Sequence, residues 1–295
     1  MYLFQRIEEV IVQYSDARRF IGEFLLGNRD DIDKYSMNDV ANLTFTSKPT
    51  LVRFAKSLGY SGWKEFMYAF AHETVVQKDN EYNDVNPNFP FDANDDTLEI
   101  IEKVSCLQIQ SIKDTVSLMS VEDINKAAKI INQAETVVIY GVSPNSYYGE
   151  LFKRKLFSIR KKALTPSPGE SGLISKTLTK KDCAVIISYS GNNPDRSPTS
   201  NIKFLLNNEV PIIGITSGGF NYLRDYSDVV LNISSKERLY SKISNFATEE
   251  SIMFILNILY AKVFALDFEK NKDFKILNSK VLEPERQATF KDLVE

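Results

Sequence analysis

The chain has 295 residues, a net charge of −3 and 43% apolar residues, which allows two modest domains and excludes a uniformly basic nucleic-acid coat. Its two cysteines, Cys106 and Cys183, form neither a disulfide framework nor a metal-ligand spacing and read as small core residues. The single histidine, His72, starves any histidine pair, Ser-His-Asp triad or His-rich metal site.

Up to about Val76 the apolar spacing is helical. Leu3, Ile7, Val10, Ile11 and Tyr14 recur at helical intervals, as do Phe20, Ile21, Phe24 and Leu25. Glu8 and Glu9 interrupt the first apolar run, so no secretory signal is expected there. Within this region Ser36 or Asn38 can cap a short helix through Leu43. After a brief polar turn, Ser47 is placed to cap a second helix with Pro49 in its first turn, and Gly59 ends it. Leu51, Phe54, Ala55 and Leu58 make the buried face of that helix. The opposite face carries Lys48, Thr50, Arg53 and Ser57, with Lys56 at the flank. Residues 40–64 hold four basic side chains and no acidic one. Such a helix suits a DNA major groove: Arg pairs with guanine, Thr touches a base edge or phosphate, and marginal lysines neutralise phosphates. An αα-hairpin with a solvated basic face has the same pattern. His72 falls near the end of the next apparent helix and reads as a surface or capping side chain.

Residues 79–96 contain six acidic residues, five asparagines and two prolines, with no Lys or Arg, and read as an acidic linker that buries no face. Beyond it the pattern predicts helices over 97–117 and 121–132, the second capped by Ser120. Three apolar, β-branched runs follow at 136–140 (TVVIY), 184–188 (AVIIS) and 211–216 (PIIGIT), each leading into polar residues and a helix-like segment. Continuous apolar strands alternating with helices predict a parallel sheet covered on both faces. A last strand at 228–233 precedes a long apolar helix over 246–266, and the chain after Lys270 reads as a loosely packed charged tail. No stretch approaches the length of a membrane span, so the expected compartment is the cytoplasm, with no membrane partner.

The first predicted strand runs into Gly141-Val142-Ser143-Pro144-Asn145-Ser146, and the second ends in Ser188-Tyr189-Ser190-Gly191-Asn192-Asn193. In a parallel α/β sheet ligands lie beyond the carboxyl ends of strands, where hydroxyls and free N–H groups bind oxyanions. Two such turns on neighbouring strands can hold one phosphate. Alternatively, Ser188 and Ser190 do no more than satisfy their own turn. A basic run, Lys153, Arg154, Lys155, Arg160, Lys161 and Lys162, reads mostly as a solvated face.

The stretch TLVRFAKSLGYSGWKEF resembles the N-terminal domain of RpiR-family transcriptional regulators, whose recognition helix ends in a similar motif. By position the resemblance implicates Lys48, Thr50, Arg53 and Lys56 in DNA reading. Residues 108–266 resemble the sugar isomerase (SIS) domain, whose S-x-S-G-x-[TS] loop is matched by Ser188-Tyr189-Ser190-Gly191. The resemblance implies phosphate contacts from Ser188 and Ser190 and from the backbone at Tyr189 and Gly191. The serine of the family's first-strand turn falls at Asn145, with Ser143 and Ser146 beside it. The loop departs from the family where Glu-Thr becomes Asn192-Asn193, followed by Pro194, so an amide at Asn193 replaces a threonine hydroxyl.

The expected organisation is an all-α helix-turn-helix domain (1–77), then an acidic linker with the start of a connecting helix (78–106). An SIS-like α/β sugar-phosphate sensor (107–270) and a charged tail (271–295) complete it. The implied function is transcriptional regulation of phosphosugar or amino-sugar metabolism. The implied partners are double-stranded operator DNA, a phosphorylated sugar effector and further copies of the chain, as a homodimer or larger. No catalytic residue, cofactor or metal is expected. SIS isomerases commonly use Glu and His to move protons, and this half has no histidine, leaving Glu249 and Glu250 as its candidate carboxylates. A sugar-phosphate isomerase and an SIS regulatory protein that binds no DNA are the alternatives.

Overall fold

The computed structural model describes residues 3–79, 85–167 and 169–282. The chain divides into two compact units. One takes the chain up to Leu118 with Thr216–Asn221 and Asn232–Ile252; the other takes Met119–Ile215, Tyr222–Leu231 and the described chain from Met253.

The first unit opens with helices α1 (Leu3–Gln13), α2 (Ala17–Gly27), α3 (Met37–Leu43), α4 (Lys48–Ser57) and α5 (Trp63–Asp79), with a short 3-10 helix at Arg29–Lys34. Their shared core buries Ile7, Ile21, Leu25, Val40, Leu51, Phe54, Phe66 and Phe70 completely or nearly so. Phe54 meets Phe66 edge-on at 5.8 Å, which locks α4 onto α5. The helix starts follow local chemistry. Asp16 caps α2, and Ser36 with Asp39 forms a reciprocal capping box on α3. Glu73 of α5 accepts the backbone N–H groups of Leu3 (2.7 Å) and Phe4 (3.0 Å), satisfying the start of α1 from another helix. Gly59 has φ +85° just past α4, a conformation that a side chain disfavours. His72 lies inside α5, not near its end, and is exposed.

The acidic segment differs from the expected linker. Residues 80–84 lie outside the described residues, but Pro90 and Asn88 are buried, Asn88 being only 8% exposed. The Asn88 side chain accepts the N–H of Arg238, and its carbonyl accepts that of Ile243 at 2.9 Å. Phe91 packs on Phe246. A polar, acidic segment is thus held by hydrogen bonds to its carbonyl groups, which composition does not reveal. The expected boundary at 106/107 falls inside one continuous helix, α6 (Thr97–Ser117), started by an Asp96–Glu99 capping box. Ser111 and Thr115 of α6 donate to Ala247 and Ser251, at the start of α12 (Phe246–Ala265).

The second unit holds α7 (Val121–Gln133), β1 (Val137–Tyr140), α8 (Asn145–Phe157), β2 (Ala163–Leu164), α9 (Ser171–Thr177), β3 (Cys183–Ile187) and α10 (Ile202–Asn207). β4 (Ile212–Ser217), α11 (Tyr222–Asp225), β5 (Val229–Ile233) and α13 (Phe268–Leu282) follow; β4, β5 and α12 run across the division between the units. The sheet order is β2-β1-β3-β4-β5, with β1 parallel to both β2 and β3, and β3 parallel to β4. β1, β3 and β4 are buried along their whole length, as strands covered on both faces must be. Gly149 lets α8 approach the sheet: a Cβ there would lie 3.0 Å from Ile139 Cγ2.

Of the expected loosely packed tail, residues 271–282 continue α13 with most of their side chains exposed, while 283–295 lie outside the described residues. Asn271 donates to the Phe264 carbonyl at 3.1 Å, and the Arg160 guanidinium sits 4.1 Å from the Phe274 ring centroid. On the long apolar helix α12, Ile252, Ile255, Leu256 and Leu259 are covered by the chain itself, while Phe254 and Ile258 are half-buried. Of the two cysteines expected in the core, Cys183 is fully buried, which pushes its thiol up to about 12, whereas Cys106 on α6 is only half-buried. No single helix among the described residues is long and apolar enough to cross a membrane.

Candidate functional site

α3, the 44–47 connection and α4 form the helix-turn-helix. Burial of Leu51, Phe54, Ala55 and Leu58 fixes the rotation of α4 and turns Lys48, Arg53, Lys56 and Ser57 into solvent, with Thr50 half-buried. Ser47 stands at the expected cap position, but its hydroxyl pairs with the Thr50 hydroxyl at 2.9 Å instead of a backbone N–H. Arg53 donates to the same Thr50 oxygen at 3.2 Å. Ser57 turns back to donate to the Phe54 carbonyl at 2.7 Å, so its hydroxyl proton is spent on its own helix. Lys48 and Lys56 are tied by no hydrogen bond or ion pair among the described residues. The face therefore presents three cations with their charge unneutralised, which is what a polyanionic duplex needs.

In the second unit the chain steps outward from β1 to β2, then returns to place β3 on the other side of β1. This reversal is the switch point where parallel sheets open a crevice beyond their carboxyl ends. Both polar turns lie there, one after β1 and one after β3. Asn145 joins them by directing its side-chain N–H to the Ile187 carbonyl at 3.5 Å. It also starts the 13-residue α8, which brings the electropositive end of a helix to the end of β1. Ser146 is half-buried beside it and Ser143 is exposed.

The β3 turn is partly self-satisfied. Ser188, Tyr189 and Ser190 are half-buried, and Gly191 is buried with φ +62°. The Ser188 hydroxyl accepts the Gly191 N–H at 3.2 Å, and the Gly191 carbonyl accepts the Leu223 N–H at 2.9 Å. Asn193 is exposed and its amide oxygen accepts from Asp195 at 3.0 Å. The residue that sequence reasoning missed is Thr199. It is buried, and its hydroxyl donates to the carbonyls of Asn193 and Arg196, fixing the far side of the loop. The only available signal was a threonine just after a Pro-rich turn.

The basic run lies at the surface, with Arg154, Arg160 and Lys162 exposed and the other three half-buried and tied to neighbours. Lys153 pairs with Glu150, Lys155 with Asn257, and Lys161 donates at 2.8 Å to the carbonyls of Asn132 and Ala134 at the end of α7. Burial lowers the Lys161 pKa from the usual lysine value. Glu250 accepts from Gln108 at 3.1 Å. No group of three or more His, Cys, Asp and Glu side chains could hold a metal among the described residues.

Residues 1–77 match the family model for the rpiR-family helix-turn-helix domain, and residues 130–257 match the SIS domain. An uncharacterized HTH-type transcriptional regulator of Haemophilus influenzae is 23% identical over 259 residues, covering 87% of this chain and 88% of its own length. The Vibrio vulnificus NanR protein, solved as a complex with ManNAc-6P, superposes with a TM-score of 0.61 at 19% identity, covering 97% of this chain and 100% of its own. The sugar isomerase domain of an RpiR transcription factor from Sphaerobacter thermophilus gives 0.54 at 16% identity, over 62% of this chain and 99% of its own. A helix-turn-helix domain joined to an SIS domain defines an HTH-type transcriptional regulator. The chain belongs to the RpiR family of these regulators.

Proposed function

We propose that this regulator reads double-stranded operator DNA with α4 and responds to a phosphorylated sugar held at the β1 and β3 turns. The observation that carries the reading is the adjacency of the two polar turns at the switch point, bridged by Asn145 and fed by the start of α8. In this arrangement Ser188, Ser190, the Tyr189 and Gly191 backbone, and Asn193 face the phosphate from β3, and Ser143, Asn145 and Ser146 from β1. Lys48, Thr50, Arg53 and Lys56 contact DNA. Ser57 contributes least, because its hydroxyl is already engaged.

The phosphosugar assignment is supported by the ligand of a protein of similar fold, the ManNAc-6P of the Vibrio vulnificus complex. The chain is a regulator and not an enzyme, in keeping with relatives named as transcriptional regulators. Its one histidine, on α5, is part of the helix-turn-helix domain. Operator reading by such a motif uses two recognition helices about 34 Å apart, so the functional form is a homodimer or larger, in the cytoplasm. A thermal-shift panel of hexose, pentose and amino-sugar phosphates, with ManNAc-6P included, tests the effector. A ligand of the folded state raises the melting temperature with its saturation, and Ser190→Asp removes the shift by placing a carboxylate at the phosphate position. An unchanged shift in Ser190→Asp would move the effector elsewhere.

A further inference from the structure

The connection between α3 and α4 carries Phe45, which precedes α4 in the chain. Thr44 is buried and its hydroxyl donates to the Val40 carbonyl at 2.6 Å, while the N–H of Thr46 reaches Ala41 at 2.8 Å and that of Phe45 reaches Asn42 at 3.2 Å. These bonds over-determine the turn and hold Phe45 at φ 52°, the left-handed region that favours glycine. Phe45 is 97% exposed. A phenylalanine here therefore costs the folded chain twice, in backbone strain and in apolar surface left in water, and its own domain gives nothing back.

What repays that cost lies outside the chain. Phe45 stands three residues ahead of Lys48, on the connection that delivers the start of the recognition helix, within a window of four cations and no acid. A surface of that charge selects a polyanion, and an aromatic ring beside it selects the apolar feature that a duplex presents in its major groove, the thymine methyl group. We infer that Phe45 reads a thymine methyl at the edge of the operator. The inference rests on the proposed DNA-reading role of α4 and adds a base contact to it.

The test uses the full chain and a duplex enriched from a random-sequence pool by the wild-type protein. Phe45→Gly should melt at the same or a higher temperature than wild type, because glycine relaxes the turn, yet bind that duplex more weakly. Replacing thymines one at a time by deoxyuridine removes single methyl groups. One such replacement should weaken the wild type by about fourfold, the worth of one buried methyl, and leave Phe45→Gly unchanged. Phe45→Leu should fall between the two. Wild-type affinity in Phe45→Gly, or the same deoxyuridine losses in both proteins, would overturn the contact while leaving α4 as the reader. So would a changed oligomeric state of the free protein in Phe45→Gly by light scattering, which would assign the ring to a protein interface. Failure of the wild type to enrich any duplex would overturn the DNA-reading proposal itself.

Discussion

On α4 the cationic side chains leave the backbone alone, whereas beyond β3 the hydroxyl and amide groups are bonded to it. Lys48, Arg53 and Lys56 extend into solvent from a helix whose rotation is fixed by a fully packed underside. At the β3 turn Ser188 holds Gly191, Asn193 holds Asp195, and Thr199 holds the carbonyls of Asn193 and Arg196. The proposed reader meets its partner ready-made. In the proposed sensor Ser188 and Asn193 accept through oxygen and keep their O–H and N–H donors. Only the Gly191 N–H must therefore leave its partner to meet a ligand, and the net of such an exchange is small, about 0.5–1.5 kcal/mol per bond. Selective response follows from that balance: a ligand changes the state of a turn only when it offers more than the turn already has.

The largest expected effect tests the reader. Arg53→Ala should weaken specific operator binding by about 1–3 kcal/mol if its guanidinium pairs with a base. Lys56→Ala should instead weaken all duplexes alike and lower the salt slope by about one. Mobility-shift titrations at several salt concentrations separate the two, and wild-type affinity in Arg53→Ala would remove that residue from the readout.

A smaller effect tests the sensor. Ser188→Ala takes away the acceptor of the Gly191 N–H and should cost about 0.5–1.5 kcal/mol of stability in urea unfolding. The same variant should lose the phosphosugar-induced thermal shift. Unchanged stability with an unchanged shift would mean that the hydroxyl neither builds the turn nor meets the ligand.

Much of the scaffold was legible because the signals are local. Ser36, Ser120 and Gly59 mark helix ends by their own chemistry, and the β-branched runs ending near Tyr140, Ile187 and Ser217 became strands within a residue or two. The exposed cations of α4 were legible for the same reason, since helical periodicity decides which face is buried. What escaped depends on distant partners. β2 has two residues and exists through its pairing with Val137 and Val138. Asn88 is buried because Arg238 and Ile243 donate to it, across 150 positions in the case of Arg238. α13 escaped because most of its side chains stay exposed, which leaves no buried stripe for a periodicity to reveal. At the site, the serines were legible as hydroxyls beside a glycine, but their engagement in the turn was not, because it depends on backbone geometry at Gly191.

The smallest expected effect concerns pH. Glu237 accepts the N–H groups of Ala247 and Thr248 at the start of α12 and lies 3.9 Å from Lys242. Burial is the larger influence and raises its pKa above the ordinary carboxylate value, against the lowering from Thr248, Ala247 and Lys242. The folded chain therefore holds this proton more tightly than the unfolded chain. That contribution to stability is present below the ordinary carboxylate pKa and is lost as pH rises through the folded-state value. Glu8 and Glu73 shift the same way for the same reason. Glu237→Gln should flatten the fall in melting temperature from the ordinary carboxylate range towards neutral pH. An identical slope in both proteins would mean that Glu237 titrates alike folded and unfolded.

The central claim, that a phosphosugar at the strand-end turns sets the affinity of the recognition helix for DNA, is tested most directly by one titration. The duplex enriched by the wild type is titrated with wild-type protein and with Ser190→Asp, each with and without saturating phosphosugar from the thermal-shift panel. The expected result is a ligand-dependent change in affinity for the wild type, and none for Ser190→Asp, whose ligand-free binding stays close to wild type. An equal response in both proteins, or no response in the wild type to a phosphosugar that binds it, would contradict the account.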